Sequence, residues 1–480
     1  MATSQQTRIV TLAVQLALSP MPSQYQQSEA LVSLGGSTLA VGSYQFCATN
    51  TAVTNILSTT GNYAELTNMA GTFFDQGSAA GVYVLELGVQ ATPQDGIAAL
   101  QAYKNANSNM FYAYLVPDEF DTPPAPATTS VAVTADSTST LPAGTYYTQI
   151  AYINGSGTIG QLSPVETSTV STADADELVV TSPAAITGAT SYLVYMGTVE
   201  GTLYLQNGSS GTAIGTSYSQ AAPIETTTGT SVTLADLGND YSSANGMCFL
   251  LVNSTPTNMA AYGTIDAANE FVGYKAIIAV APSPSAQSGE FTAAAWLYNI
   301  AVNNPGANSK LAPMQYRYLY GVTPWPATGY SADIQNIVNY GGNYVGTGAE
   351  GGISAACIRG GTTSSLAQIS AWYGLDWEMI NIQQVTAAEI INGSNTNPPL
   401  EYDQDGINLL EEVAQVEADN GVTFGCALSA VISAIPFYTY NQQNPGDYSL
   451  GDYNGLTGEI VAQNGFLHII FNIALSFNAP

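Results

Sequence analysis

At 480 residues the chain is long enough for two or three domains, and 46% hydrophobic residues exclude a disordered one. Six Lys and Arg stand against 35 Asp and Glu, a formal net charge of -29, yet only 9% of residues are charged, against about 25% in an ordinary soluble domain. Such a surface lacks the clustered cations that nucleic-acid phosphates and anionic lipids demand, and no apolar run of about 18 residues is present to enter a bilayer, so neither nucleic acid nor membrane is an expected partner.

The first residues, MATSQQTRIVTLAVQLALSPMPS, alternate: Val10, Leu12, Val14, Leu16 and Leu18 fall on one face, as in an amphipathic strand. A secretion signal would instead carry a continuous apolar stretch, and its basic flank would rest on Arg8 alone; synthesis in a reducing cytosol is expected. Between 60 and 117 the pattern alternates β and α. A helix is predicted over 62–75, stopped by Gly77, then a strand over 82–87. Thr92-Pro93 supplies an N-cap followed by Pro at the first helical position, with Asp95 in the first turn, for a helix ending near Asn107. A strand over 110–116 completes a βαβ unit and implies a parallel or mixed sheet.

Pro123-Pro124-Ala125-Pro126 marks a shift to Thr, Ser, Ala and Pro. Strand-like runs follow at 131–134, 145–153, 178–181, 191–196, 203–206 and 231–234, punctuated by Asn154-Gly155, Gly188 and Asn207-Gly208. They predict a small antiparallel β-sandwich inserted into a loop of the first domain. The α/β pattern resumes with strands at 246–252 and 274–280 and helices at 291–302, 332–339, 375–391 and 407–420. Trp372, Tyr373 and Trp377 supply core volume at the start of the third helix. A strand near 423–428 and a Gly/Asn/Tyr-rich loop at 438–454 lead to the last segment. There Leu467, Ile469, Phe471, Ile473, Leu475 and Phe477 share one face, opposite His468, Asn472 and Ser476. Patterned strands at both chain ends need a sheet to join, in this subunit or another. The expected fold is α+β (mixed α/β), with an N-terminal arm 1–22, a discontinuous core 23–123 and 236–455 that divides near 365, an inserted sandwich 124–235 and a C-terminal strand arm 456–480.

Catalysis is poorly supplied. His468 is the single histidine and sits on a strand face. No phosphate-binding loop ending in Lys-Ser or Lys-Thr is present, and no Gly-x-Ser-x-Gly elbow. Asp118/Glu119/Asp121 and Asp174/Asp176/Glu177 read as solvated loops, although two carboxylates are all a glycosidase requires. Glu401-x-Asp403-x-Asp405-Gly406 with Glu412 reproduces calcium-loop spacing apart from its first Glu, but without an incoming helix it reads as Asp405 capping the next helix. No cofactor or metal is expected. Cys47, Cys248, Cys357 and Cys426 lie far apart without metal-type spacing and read as buried thiols, with disulfides formed after release from the cell as the alternative.

Phe73-Phe74-Asp75-Gln76-Gly77 running into Val82-Tyr83-Val84-Leu85-Glu86-Leu87-Gly88, then the Thr92-Pro93 helix, resembles contractile phage tail sheath proteins. So do Leu319-Tyr320-Gly321-Val322-Thr323-Pro324 and the 377–417 stretch with its Tyr402-Asp403-Gln404-Asp405-Gly406-Ile407. These similarities cover most of the chain outside 124–235. Leu141-Pro142-Ala143-Gly144-Thr145-Tyr146-Tyr147 and Gly188-Ala189-Thr190-Ser191-Tyr192-Leu193-Val194-Tyr195 resemble immunoglobulin- or fibronectin-like modules, without the Cys…Trp…Cys core of antibody domains. The resemblance implies a non-enzymatic virion subunit, assembled in the host cytoplasm. It would polymerise helically around a tail tube, meet the tube, baseplate and tail terminator proteins, and contract to drive the tube through the host envelope. It also implies terminal arms that add strands to neighbouring subunits, which makes Val10, Leu12, Val14, Leu16, Leu467, Ile469, Phe471 and Ile473 the inter-subunit contacts. A baseplate or tube protein is the alternative; a secreted carbohydrate-binding protein or glycosidase is a third.

Overall fold

The computed structural model describes residues 25–226, 232–243, 247–265, 271–306, 310–348 and 351–467. The chain opens with β1 (Glu29–Ser33), β2 (Tyr44–Cys47), α1 (Asn50–Thr54), α2 (Tyr63–Asp75), β3 (Val82–Glu86), α3 (Pro93–Ala106) and β4 (Ala113–Leu115). Leu66, Met69, Ala70 and Phe73 recur at helical spacing and form the buried stripe of α2. The Thr92 side chain accepts from the Asp95 N–H at 3.2 Å, and Pro93 occupies the first turn of α3, where its missing N–H has no partner to lose.

Among the described residues eight strands follow: β5 (Val131–Ala135), β6 (Gly144–Asn154), β7 (Glu166–Val170), β8 (Asp176–Val180), β9 (Ala189–Val199), β10 (Thr202–Leu205), β11 (Thr212–Ala213) and β12 (Tyr218–Gln220). Among the described residues β10-β9-β6-β7, with β11 beside β9, form one sheet, and β12-β8-β5 form another. Tyr146, Ile150, Tyr192 and Val194 of the first share an apolar cluster with Leu178 and Val180 of the second. β7 escapes sequence reading because its inward positions are Ser168 and Val170, too weak an alternation to register. Thr158 Oγ1 donates to Glu119 O at 2.7 Å, and Gln161 bonds Pro123 O and the Asp236 carboxylate, so one loop of this region touches both of its junctions.

The strand expected over 231–234 is not found at its described end. Leu234 instead opens α4 (Leu234–Ser243), with Asp236 in its first turn. Thr233 and Asp236 bond each other's backbone N–H at 3.2 and 2.9 Å, a reciprocal cap that outweighs the Val232/Leu234 alternation. Then come β13 (Phe249–Asn253), β14 (Gly263–Ile265), β15 (Phe271–Gly273), β16 (Ile277–Ala281), α5 (Ala293–Ala301), α6 (Ser331–Asn339), β17 (Asn343–Gly348) and β18 (Ile353–Arg359). The chain continues through α7 (Ile369–Gly393), α8 (Gln404–Phe424), β19 (Ala427–Ala434), α9 (Phe437–Gln443), α10 (Asp447–Leu450) and β20 (Leu456–Ala462). Asp403, not Asp405, caps α8: its Oδ1 accepts from Gly406 N at 2.8 Å. The helix runs past the expected end at 420 and stops at Gly425, whose φ of +77° suits a residue without a Cβ. The strand expected near 423–428 therefore starts only at Ala427. The 438–454 segment, expected as a loop, contains α10 and most of α9.

Among the described residues the main sheet has the order β18-β17-β16-β13-β4-β1-β3-β2. The six inner strands are parallel and the outer two antiparallel. Every residue of β1, β4, β13 and β16 is buried. Leu31, Leu251 and Ile278 face α2, α5 and α7; Val32, Leu250 and Ile277 face α3, α4 and α6. Strands covered on both faces lose the alternation that marks a half-buried strand.

Candidate assembly surface

β19 and β20 pair only with each other among the described residues, with Val431 opposite Glu459 and Ile432 opposite Gly458. The strand period of two divides their side chains between two faces. Ala430, Ile432, Leu456 and Ile460 pack on Ile382 of α7 and on Ala414 and Ala418 of α8. The other face turns Val431 (59% exposed) and Val461 (43%) to solvent, beside exposed Leu428. From α8, Gln415 bonds the backbone of Ala430 and Ile432, and Glu411 accepts from Ala434 N.

Beyond β20 the chain is held by side chains of the core. Gln368 donates to Gly465 O at 2.8 Å and accepts from Gly465 N at 2.9 Å, and Tyr316 Oη donates to Leu467 O at 2.5 Å. Phe466 between them is 80% exposed. Of the expected contact residues only Leu467 falls within the described residues, half-buried at the end of this strap. Val10, Leu12, Val14, Leu16, Ile469, Phe471 and Ile473 lie outside them, as does His468. Gln368, Tyr316 and Gln415 were not singled out by the sequence. Their partners are backbone groups of distant segments, and the one local hint is that Glu411 and Gln415 stand one turn apart on α8.

Polar side chains join α7 to the rest of the molecule. Lys275 Nζ stands 3.7 Å from Asp376 Oδ1 and 4.2 Å from the Trp372 ring centroid, and Tyr112 Oη donates to Asp376 Oδ2 at 2.9 Å. Burial raises the Asp376 carboxyl pKa, against the pull of Lys275 and Tyr112. Two residues on, Glu378 is fully buried against α8, neither carboxyl oxygen has a hydrogen-bond partner among the described residues, and burial with Glu417 and Asp419 nearby pushes it up to about 8. Gly421 of α8 is what makes room for it: a Cβ there would stand within 2 Å of Glu378 Oε1.

Among the described cations, Lys104 lies 3.8 Å over the Tyr241 ring, Lys275 holds Asp376, Arg317 bonds Asn303 and Arg359 bonds Thr347 O. Lys310 is exposed. Asp121, expected in a solvated loop, is buried: its carboxylate accepts from Tyr262 Oη at 3.0 Å and Asn258 Nδ2 at 2.8 Å, and burial pushes it up to about 7. The 401–412 spacing does not assemble a cage; among the described residues no group of three or more His, Cys, Asp or Glu is placed to hold a metal ion. All four cysteines are buried thiols, unpaired with one another. No helix among the described residues is long and apolar enough to cross a membrane.

No family model and no curated protein matches this sequence. Solved structures do. A chain of the anti-feeding prophage baseplate is 10% identical over 99% of this chain and 100% of its own length, with a TM-score of 0.49. A sheath tail protein from Listeria innocua is 12% identical, covering 91% of this chain and 95% of its own, at a TM-score of 0.36. One from Desulfitobacterium hafniense is 9% identical, covering 87% and 92%, at 0.35.

Proposed function

We propose that this chain is the structural subunit of a contractile phage tail sheath, polymerising helically around a tail tube by strand exchange between copies. Its own copies, the tube, and baseplate and terminator proteins are its partners, and Val10, Leu12, Val14, Leu16, Leu467, Ile469, Phe471 and Ile473 carry the contacts between copies. The region 124–235 serves in this reading as an inserted module of immunoglobulin-like type. The observation that carries the reading is the β19–β20 hairpin. Two strands alone make a marginal sheet, yet this one leaves valines exposed on one face and carries one-face-patterned chain just beyond it. Backbone bonds from an added strand supply cohesion, and the alternation of the added segment supplies register. Residues 73–88, 319–324 and 377–417, which resemble sheath proteins, support the same reading.

Electron microscopy of the purified chain should show tubes or rings. Deleting residues 1–20 or 468–480 should leave a soluble monomer that melts cooperatively and no longer assembles. Long tubes formed by either deletion variant would end the strand-exchange reading.

A further inference from the structure

β2 closes one side of the main sheet, and the strand period of two sets Tyr44 and Phe46 on one face, 43% and 50% exposed. Their rings continue inward. Phe46 lies 5.1 Å from Tyr83 between ring centroids, Tyr83 lies 5.3 Å from buried Phe111, and Tyr44 meets Phe111 edge-on at 5.3 Å. With Tyr25 these rings line a groove of about 510 Å³. Gly81 forms part of its wall, and a Cβ there would collide with the Phe46 ring. Every described residue of the lining is uncharged. Half-exposed rings in mutual contact, with no charge among them, make a surface that water solvates poorly.

The described chain begins at the wall of this groove. Tyr25 is buried, and its hydroxyl donates to Phe111 O at 3.2 Å and to Met247 O at 2.7 Å, which pins the entry of the chain beside Phe111. We infer that the residues just before it, Pro20-Met21-Pro22-Ser23-Gln24 of the same chain, fill the groove as an extended strap. Tethering favours this occupant: a segment joined to Tyr25 meets the groove at an effective concentration on the order of millimolar, which a second copy or a free ligand must exceed. The length suffices. Residues 21–24 span about 13 Å when extended, against centroid steps of 5.3 and 5.1 Å from Phe111 through Tyr83 to Phe46. The chemistry matches as well. Residues 9–24 carry no charged side chain, so docking desolvates none. Pro20 and Pro22 favour an extended backbone before docking and bring no N–H for the rings to leave unsatisfied, which suits proline-containing segments to aromatic-lined grooves. Met21 between them offers a thioether, which packs favourably against ring edges. The strap does not depend on what residues 1–18 join; under the sheath reading it fixes the point from which they leave.

The methyl resonance of Met21 in the full-length chain, assigned with Met21→Leu, reads the contact. Below the concentration at which copies assemble, it should stand upfield of its position in a free peptide of residues 16–24, shifted by the ring currents of Tyr83 and Phe46. Phe46→Ser, at a half-exposed position, should return it to the peptide value and speed amide exchange at Met21 and Ser23 at least about tenfold. Tyr438→Ser, at an exposed position far along the chain, should change neither. A Met21 methyl at the peptide position in the unaltered chain overturns the strap, and so does a shift that Phe46→Ser leaves in place. A shift that appears only as the chain is concentrated gives the groove to a second copy and overturns the occupant. Should Phe46→Ser unfold the edge strand, the unaltered chain decides alone: nuclear Overhauser contacts between the Met21 methyl and the Phe46 or Tyr83 ring are expected, and their absence overturns the strap. Whether copies assemble is measured separately, so the sheath reading can fail while the strap stands.

Discussion

Replacing Lys275 with Met should destabilise the protein by on the order of 3–5 kcal/mol at pH 7, one of the largest effects expected of a single substitution. Asp376 is 1% exposed in its side chain and has one cation near it among the described residues, Lys275 at 3.7 Å. Removing the ammonium leaves a buried carboxylate with the Tyr112 hydroxyl as its remaining partner among the described residues, and Trp372 loses the cation on its face. The Asp376 pKa, already raised by burial, must rise further, so the loss should grow with pH. Adding Asp376→Asn removes the stranded charge and should restore more than half of the loss. Urea unfolding of the two variants measures both effects. A loss below about 1 kcal/mol for Lys275→Met would mean that α7 is docked by its apolar contacts alone.

Glu378→Gln should act in the opposite direction. The native state holds the Glu378 proton up to a pKa of about 8, whereas the unfolded chain releases it near 4.5. Between these values the folded protein binds more protons than the unfolded one, so this residue lowers stability as pH rises from about 4.5 to 8, and its effect is constant above. Gln cannot titrate. The variant should match the native protein near pH 5 and exceed it by about 2 kcal/mol at pH 8.5, discounting the full shift for solvent screening. Melting temperatures from pH 5 to 9 check this; parallel curves for variant and native protein would show that Glu378 is charged throughout.

What the sequence disclosed depended on how each element is solvated. α2 and α3 were legible because one face of each is wet and because Thr92, Pro93 and Asp95 mark a boundary by local chemistry. β1, with Glu29–Ser33 buried throughout, offered no period to detect. β17 and β18 form the far side of the sheet through Gly-containing or half-exposed runs that resemble loops. At 231–236 two signals competed, and the Thr233–Asp236 cap prevailed over a short alternation. The assembly surface was legible only as a need: patterned ends without a sheet. The hairpin, the α8 side chains on its β19 edge and the Gln368 strap are long-range contacts, and no local pattern encodes which backbone group a glutamine will find.

Four of the five described cations are taken up by aromatic rings, a buried carboxylate or polar oxygens of their own chain, which leaves exposed Lys310 as the one described cation free to face the many exposed carboxylates of a -29 chain. Copies brought side by side must therefore recruit mobile ions between them. Their association should tighten with ionic strength, because the screening length shrinks from about 30 Å at 0.01 M to about 10 Å at 0.1 M. Sedimentation across that range should show the assembly threshold falling as salt is added, and assembly that weakens with salt would point to attraction between opposite charges instead. Dilution into low salt then becomes a way to take the polymer apart without touching a single contact within the subunit.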